Sequence, residues 1–222
     1  MRLSDKTFID SITRRHYGHY GSNIRHATDR NAAKLLMTQM RDAGAAGPSL
    51  REAHRRAGWY MAIEFLDDVT GLEGCQILHV QGHRTGGRRL LCEMQTTIVA
   101  LMRGGEPMAF GVNEVFPLAM FVHLKPHHLE SHGAVILVDS VVNSGKTVVE
   151  FVQHVRRLNT RIRIVVVSGV VQAESVFTGP LARVLGRDGN ISLLALRLSK
   201  NQFTSRGTSD IGNRLFNTTR LD

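Results

Sequence analysis

Residues 134–147 read Ala-Val-Ile-Leu-Val-Asp-Ser-Val-Val-Asn-Ser-Gly-Lys-Thr, and this run limits the possible fold more than any other. Ala134–Val138 is aliphatic without alternation, the pattern of a strand covered on both faces. Asp139 stands where that strand should emerge. Ser140, Asn143, Ser144, Gly145 and Thr147 follow, all small or hydrogen-bonding. Val148, Val149, Phe151, Val152 and Val155 then supply the apolar face of a helix over 146–158. A strand, a polar turn and a helix start form a natural anion cradle, because backbone N–H groups and hydroxyls converge there.

The rest of the chain fits the same architecture. Ala33, Leu36, Met37 and Met40 predict a helix over 31–42, broken by Gly44, Gly47 and Pro48. Ser49, with Glu52 as capping-box partner, is expected to start a second helix reaching about Leu66, with Trp59, Ile63 and Leu66 facing inward. Short apolar strands are expected at Gln76–Val80, Thr97–Leu101, Leu118–Leu124, Ala134–Val138, Ile162–Val167 and Ser192–Leu196, with a further helix near 107–114. Strands alternating with helices imply an α/β fold: a mostly parallel sheet with helices on both faces, binding its ligands at the carboxyl ends of strands. Residues 1–30, rich in Arg, His and Tyr, are expected to form a basic arm, and residues 31–222 the folded domain.

Composition narrows the function. Apolar residues make up 42% of the 222, enough for a sizeable core. No apolar run approaches the roughly 20 residues of a membrane span. The opening Met-Arg-Leu-Ser-Asp-Lys leads into no apolar segment, so no secretory signal is expected. Cys75 and Cys92 are too few for a disulfide framework or zinc site and suit a reducing, cytoplasmic setting. With 28 Lys and Arg against 19 Asp and Glu, the net charge of +9 favours an anionic ligand. Nucleic acid is one such partner, but phosphorylated small molecules fit the loop better. His123, His127, His128 and His132 invite a metal reading, yet Pro126 denies them one helical face, and an exposed loop is expected instead.

The loop itself admits three readings. Ser140–Thr147 matches a Gly-x-x-x-x-Gly-Lys-Ser/Thr nucleotide loop at Gly145, Lys146 and Thr147 but lacks the first glycine. An acid ending an aliphatic strand before a hydroxyl–Gly–x–Thr turn also suits a phosphoribosyl pyrophosphate site, with Asp139 on the ribose and the turn on the 5′-phosphate. The third reading is a plain strand–turn–helix crossover. Two further segments bear on the choice. Ile98–Gly105 ends a strand in Arg103 and two glycines, and a guanidinium matches pyrophosphate oxygens. Ser205–Thr218 is a Gly/Ser/Asp-rich run ending in Arg214-Leu215-Phe216, which argues that it packs.

Together these segments resemble the uracil phosphoribosyltransferase family, within the type I phosphoribosyltransferases. The family's Leu-Arg-Ala-Gly is matched by Leu101-Met102-Arg103-Gly104-Gly105. Its Asp-Pro-Met-Leu-Ala-Thr-Gly-Gly-Ser/Thr is matched by Asp139–Thr147, and its Gly-Asp-Arg-Leu-Phe-Gly-Thr ending by the run to Thr218. Leu36…Met40-Arg41-Asp42 and Pro117-Leu118-Ala119 are similar to two earlier family segments.

The resemblance implies a magnesium-assisted transfer of phosphoribose from phosphoribosyl pyrophosphate to uracil, giving UMP and pyrophosphate, in a pyrimidine-salvage enzyme that assembles as a homo-oligomer. It implies Arg103, Asp139 and Asp210 as catalytic residues. The donor would be held by Arg103, Gly104, Asp139, Ser140, Asn143, Ser144, Gly145, Lys146, Thr147 and Asp210. Uracil would be held by Thr204, Ser209, Asp210 and Ile211. Magnesium would travel with the donor, without a dedicated protein site.

Three departures stand out. The family's long hood, with a Tyr-Arg pair, is reduced here to Lys125–His132. Ala-Thr-Gly-Gly becomes Asn143-Ser144-Gly145-Lys146, and the Gly before the terminal Asp is Ser209. They motivate a second hypothesis: a weak or inactive homologue that binds the donor or a nucleotide as sensor or scaffold. A basic nucleic-acid-binding regulator and a nucleotide-loop kinase are the remaining readings.

Overall fold

The computed structural model describes residues 23–123, 125–129, 133–201 and 210–218. Among them, six strands form one sheet in the order β1-β8-β7-β6-β4-β5. They are β1 (Ile24–His26), β4 (Thr97–Ala100), β5 (Met120–Val122), β6 (Ala134–Val142), β7 (Arg163–Gln172) and β8 (Ile191–Ser199). Every neighbouring pair is parallel. The mostly parallel α/β sheet expected from the sequence is the one observed.

Alternation along β6 explains the two-sided core. Ile136 and Val138 join Ile98, Val165 and Leu194 on one face. That face is covered by α1 (Asn31–Arg41), α2 (Gly47–Met61) and α3 (Glu106–Val115). Val135 and Leu137 join Val99, Ile164 and Leu193 on the other. Here the cover is α4 (Lys146–Leu158), α5 (Ala173–Phe177) and α6 (Pro180–Arg187). Val135–Val138 are fully buried, and covering such side chains is worth about 1.5–3 kcal/mol each.

Several expectations are corrected. Gln76–Val80 is not a strand of the main sheet. It overlaps β2 (Leu72–Leu78), which pairs antiparallel with β3 (Arg84–Leu90) in a separate hairpin. Gly82, Gly86 and Gly87 were the hairpin signal. Residues 23–30, counted with the arm, are folded: β1 pairs with β8, and Arg30 immediately precedes α1.

Ser49 does not cap α2. The cap position is Ala46, Ser49 Oγ donates to the Ala46 carbonyl, and Glu52 pairs with Arg55 and Arg56. Trp59 and Ile63 are about half exposed, while Leu66 is buried as expected. The inner face of α2 is built from smaller residues because α2 and α3 touch backbone to backbone. A Cβ at Gly58 would lie 1.9 Å from the Met108 carbonyl, and one at Gly111 1.9 Å from that of Arg55. Beyond Met61 the helix widens through a π turn, Ala62–Leu66, and ends with Asp67–Thr70.

Candidate functional site

The site lies where β4 and β6 end. β4 stops at Ala100, opposite Val138, whereas β6 continues beside β7 to Val142. Asp139 is therefore still paired on the β7 side but opens towards the turn that follows β4. That turn, Met102–Gly105, presses directly on β6. A Cβ at Gly105 would lie 2.1 Å from the Val138 carbonyl. A Cβ at Gly104 would lie 3.3 Å from that of Ser140 and 3.7 Å from Asp139 Oδ1. Glycine is required at 105 for this turn to sit against the end of a neighbouring strand, and a side chain at 104 would be a tight fit.

Asp139 is half-buried, in a cleft with too little water to solvate a carboxylate. Desolvation pushes its pKa up to about 7, against hydrogen bonds from the Val141 and Ser140 backbones that favour the anion. The acid is thus poised to ionise when a partner of suitable charge arrives.

Ser140 has a different environment from the one expected. Alternation points it to the α2 face, where it is fully buried. Its hydroxyl meets His54 Nε2 at 2.8 Å, while His54 Nδ1 meets the Leu50 carbonyl at 2.8 Å. A carbonyl only accepts, so Nδ1 carries the proton and Nε2 accepts from Ser140. Burial pulls the His54 pKa down to about 4; the Leu50 hydrogen bond opposes this and the nearby Arg214 charge adds to it. The Ser140 hydroxyl is committed to His54 and is not available to a phosphate. No local motif announces this pair, because its members stand far apart in the chain.

The phosphate-loop candidates lie beyond. Gly145 has φ +73°, and a Cβ there would come within 2.9 Å of Leu181 Cβ, so glycine is required on both counts. Ser144, Lys146 and Thr147 are exposed and Asn143 is half-buried. α4 begins at Lys146, so the N–H groups of its first turn lie at the end of this loop, that of Lys146 donating to Ser144 Oγ at 3.5 Å.

Arg103 follows a cis peptide bond after Met102, and it is held by the far end of the chain. Its Nη1 donates to Thr218 Oγ1 at 3.1 Å and its Nη2 to Asn213 Oδ1 at 2.9 Å. Asp210 Oδ1 lies 3.7 Å from Nη2 and also accepts from the Asn213 backbone N–H, capping α7 (Ile211–Phe216). α7 is itself anchored: Arg214 Nη2 donates to the Asp42 and Ala45 carbonyls, and Arg51 Nη1 to that of Leu215. The fold thus brings together Arg103, Gly104, Asp139, Asp210 and Ile211. Asn213 and Thr218, absent from the expected set, complete the support. Thr204 and Ser209 lie outside the described residues.

Two residues of the hood segment, Lys125 and Pro126, lie against α4. Lys125 Nζ sits 5.3 Å from the Phe151 ring and His154 Nε2 donates to the Pro126 carbonyl, pinning residues 125–126 to α4. Among the described residues, no group of three or more His, Cys, Asp or Glu side chains is arranged to hold a metal ion. No helix among them is long and apolar enough to cross a membrane.

Among solved structures, the AQ2163 protein of Aquifex aeolicus superposes with a TM-score of 0.67 at 17% identity, covering 87% of this chain and 97% of that one. A purine phosphoribosyltransferase from Pyrococcus horikoshii Ot3 gives 0.42 at 11% identity, over 83% and 99%. No curated protein sequence matches. The model of the family described as uracil phosphoribosyltransferase matches residues 27–218. That match begins just after β1 and spans both strand-end turns and α7, and on it the chain belongs to the uracil phosphoribosyltransferase family.

Proposed function

We propose that the chain transfers phosphoribose from phosphoribosyl pyrophosphate to N1 of uracil. The C1′–oxygen bond to pyrophosphate breaks, a C1′–N1 bond forms, and the N1 proton passes to water. The observation that carries this reading is the convergence of a braced arginine, a desolvated acid and a helix N-terminus at the ends of β4 and β6. Arg103 and the Gly104 backbone would hold pyrophosphate. Asp139, once ionised, would accept from the ribose hydroxyls. Asn143, Ser144, Gly145, Lys146 and Thr147 would hold the 5′-phosphate. Ser140 would contribute only through its backbone. Ile211, with Thr204, Ser209 and Asp210, would border the base.

The residues suit magnesium delivered on the donor. Asp139 and Asp210 flank the Arg103–Gly104 turn, and this ion is commonly bound by one or two carboxylates together with substrate phosphates. When bound it would neutralise charge on the departing pyrophosphate. The protein's own share is positioning and fixed electrostatics, which dominate when the transition state is dissociative.

Incubation of the purified chain with labelled uracil, phosphoribosyl pyrophosphate and magnesium tests the proposal, with UMP expected. Donor binding without any UMP would sink it. The second reading, a donor-binding homologue without turnover, would then stand. It is favoured by one observation: residues 125–126 lie on α4 and bring no arginine to the opening.

A further inference from the structure

Asp139 stands where the sheet grips its backbone least. The register of β4 with β6 ends at Ala100 and Val138, so that side of the ladder stops just before Asp139. On the other side, Asp139 pairs with Ser168 and Val141 with Val170, and the register passes over Ser140 and Gly169. The register of β7 with β8 passes over Gly169 as well. Yet the backbone N–H groups of Ser140 and Val141, both in this stretch, donate to the Asp139 carboxylate. Their placement decides how the acid is aimed.

A side chain of α2 supplies the missing hold. Ser140 Oγ donates to His54 Nε2 at 2.8 Å, and His54 Nδ1 donates to the Leu50 carbonyl, one turn back, at 2.8 Å. Ser140 and His54 are both fully buried, and low local polarity strengthens such bonds. α2 is a firm base, because its Gly58 meets the Met108 carbonyl of α3 without room for a side chain. Both ring nitrogens of His54 are committed, so the ring has no donor or acceptor left for a ligand. Ser140 Cβ also faces the β4 turn, 3.3 Å from where a Cβ on Gly104 would stand. One serine thus ties α2, the carboxylate and the β4 turn together.

We propose that His54 is a positioning residue for Asp139. Through the Ser140 hydroxyl it holds the backbone N–H groups that aim the carboxylate at the ribose hydroxyls of the donor. The proposal rests on the donor-binding part of the reading above and leaves its acceptor unchanged. A histidine that merely fills the core would affect stability alone.

The test is calorimetric titration of the full chain with phosphoribosyl pyrophosphate and magnesium in a pH series through neutrality. His54→Leu and Ser140→Ala should each weaken donor binding about tenfold, the scale of one hydrogen bond to a charged group. Each should also move the midpoint of the rise in affinity upward by about half a pH unit, since the anion loses well-placed donors. His54 is neutral in this range, its pKa lying at about 4. Arg103 and Asp210 across the opening, and Arg214 near His54, keep their charges in both variants. The double variant should be no weaker than either single one, because both cut the same link. His54→Gln, whose side-chain oxygen can accept from Ser140, should recover most of the loss.

A lower melting temperature with the parent's affinity and midpoint overturns the proposal, and so do losses that add in the double variant. Should His54→Leu fail to fold, Ser140→Ala carries the test through the midpoint. A parent that binds no donor sinks the donor reading instead. Carbon NMR of the carboxylates, with Asp139 assigned through Asp139→Asn, then decides the positioning by itself. An upward shift of the Asp139 ionisation in Ser140→Ala upholds it, and an unchanged ionisation overturns it.

Discussion

The turns after β4 and β6 do comparable work in opposite ways. The β4 turn is braced from outside: Arg103 is gripped by Asn213 and Thr218, and Gly105 is pressed onto Val138. The β6 turn is local and open, with Ser144, Lys146 and Thr147 exposed and Gly145 held in place by Leu181. A pyrophosphate grip must be placed accurately before its ligand arrives, since misplacement costs transition-state stabilisation. A 5′-phosphate can draw a few amides and hydroxyls around itself as it binds. One turn is thus a fixed clamp and the other a cradle completed by its ligand.

The comparison can be broken at several points. The largest effect is expected at Asp139, which both turns share. Asp139→Ala should weaken donor binding by roughly a hundredfold or more, because charge-assisted hydrogen bonds contribute about 1.5–3 kcal/mol each; isothermal titration with phosphoribosyl pyrophosphate measures it. Arg103→Lys comes next. An ammonium cannot form the fork that Asn213 and Thr218 hold, so kcat/KM should fall about a hundredfold while the melting temperature barely moves. A mild change would mean that the clamp is not needed.

Asn213→Ala removes a brace but leaves the grip, and about a tenfold loss in kcat/KM is expected, without loss of α7's helical signal. Lys146→Ala should be the smallest, about threefold in donor affinity and fading with salt, as for an exposed charge.

A pH series sharpens the same contrast. The folded-state pKa of Asp139 is raised from 3.8 to about 7. Between those values the folded protein holds a proton that the unfolded chain has lost. This group's contribution therefore declines as pH rises from 4 to 7. Asp139→Asn should accordingly raise the melting temperature more at pH 8 than at pH 5. Donor affinity, which needs the anion, should climb up to about tenfold per pH unit below 7 and level off above it. His54 has the opposite sign. Its pKa falls from 6.5 to about 4, so its contribution is full above 6.5 and is lost as pH drops towards 4. The melting-temperature difference between the parent and His54→Gln isolates it from Asp139: the parent should lose ground to the variant as pH falls from 6.5 towards 4, and a difference that stays constant across that window would refute it.

Sequence reading recovered what is local. The aliphatic run at 134–138, the acid after it and the helix from 146 are neighbours in the chain, so their pattern was legible. Ile162–Val167 and the strand at 192–196 were legible for the same reason, although both extend further at their carboxyl ends than expected because parallel partners carry them on. Missed were features made by contact across the chain. Trp59 and Ile63 looked like core until the Gly58–Gly111 crossing excluded bulk. Ser140 looked like a phosphate ligand, but nothing near it in sequence discloses His54. Asp210 was singled out for the ligand, and its capping of α7 beside Arg103 emerges only once α7 docks on α1 and α2.

The pairing of β1 with β8 has a consequence in time. Ile24 aligns with Leu193 and His26 with Ala195, so almost the whole chain separates partners in one edge of the sheet. During synthesis at about 5–20 residues per second, β1 waits on the order of ten seconds for its neighbour to be made. The strands from β4 to β7 can assemble meanwhile, since each finds its partner within a short stretch of chain. Ile24–His26 is then the last piece to close, and an edge joined by such distant partners forms late and slowly.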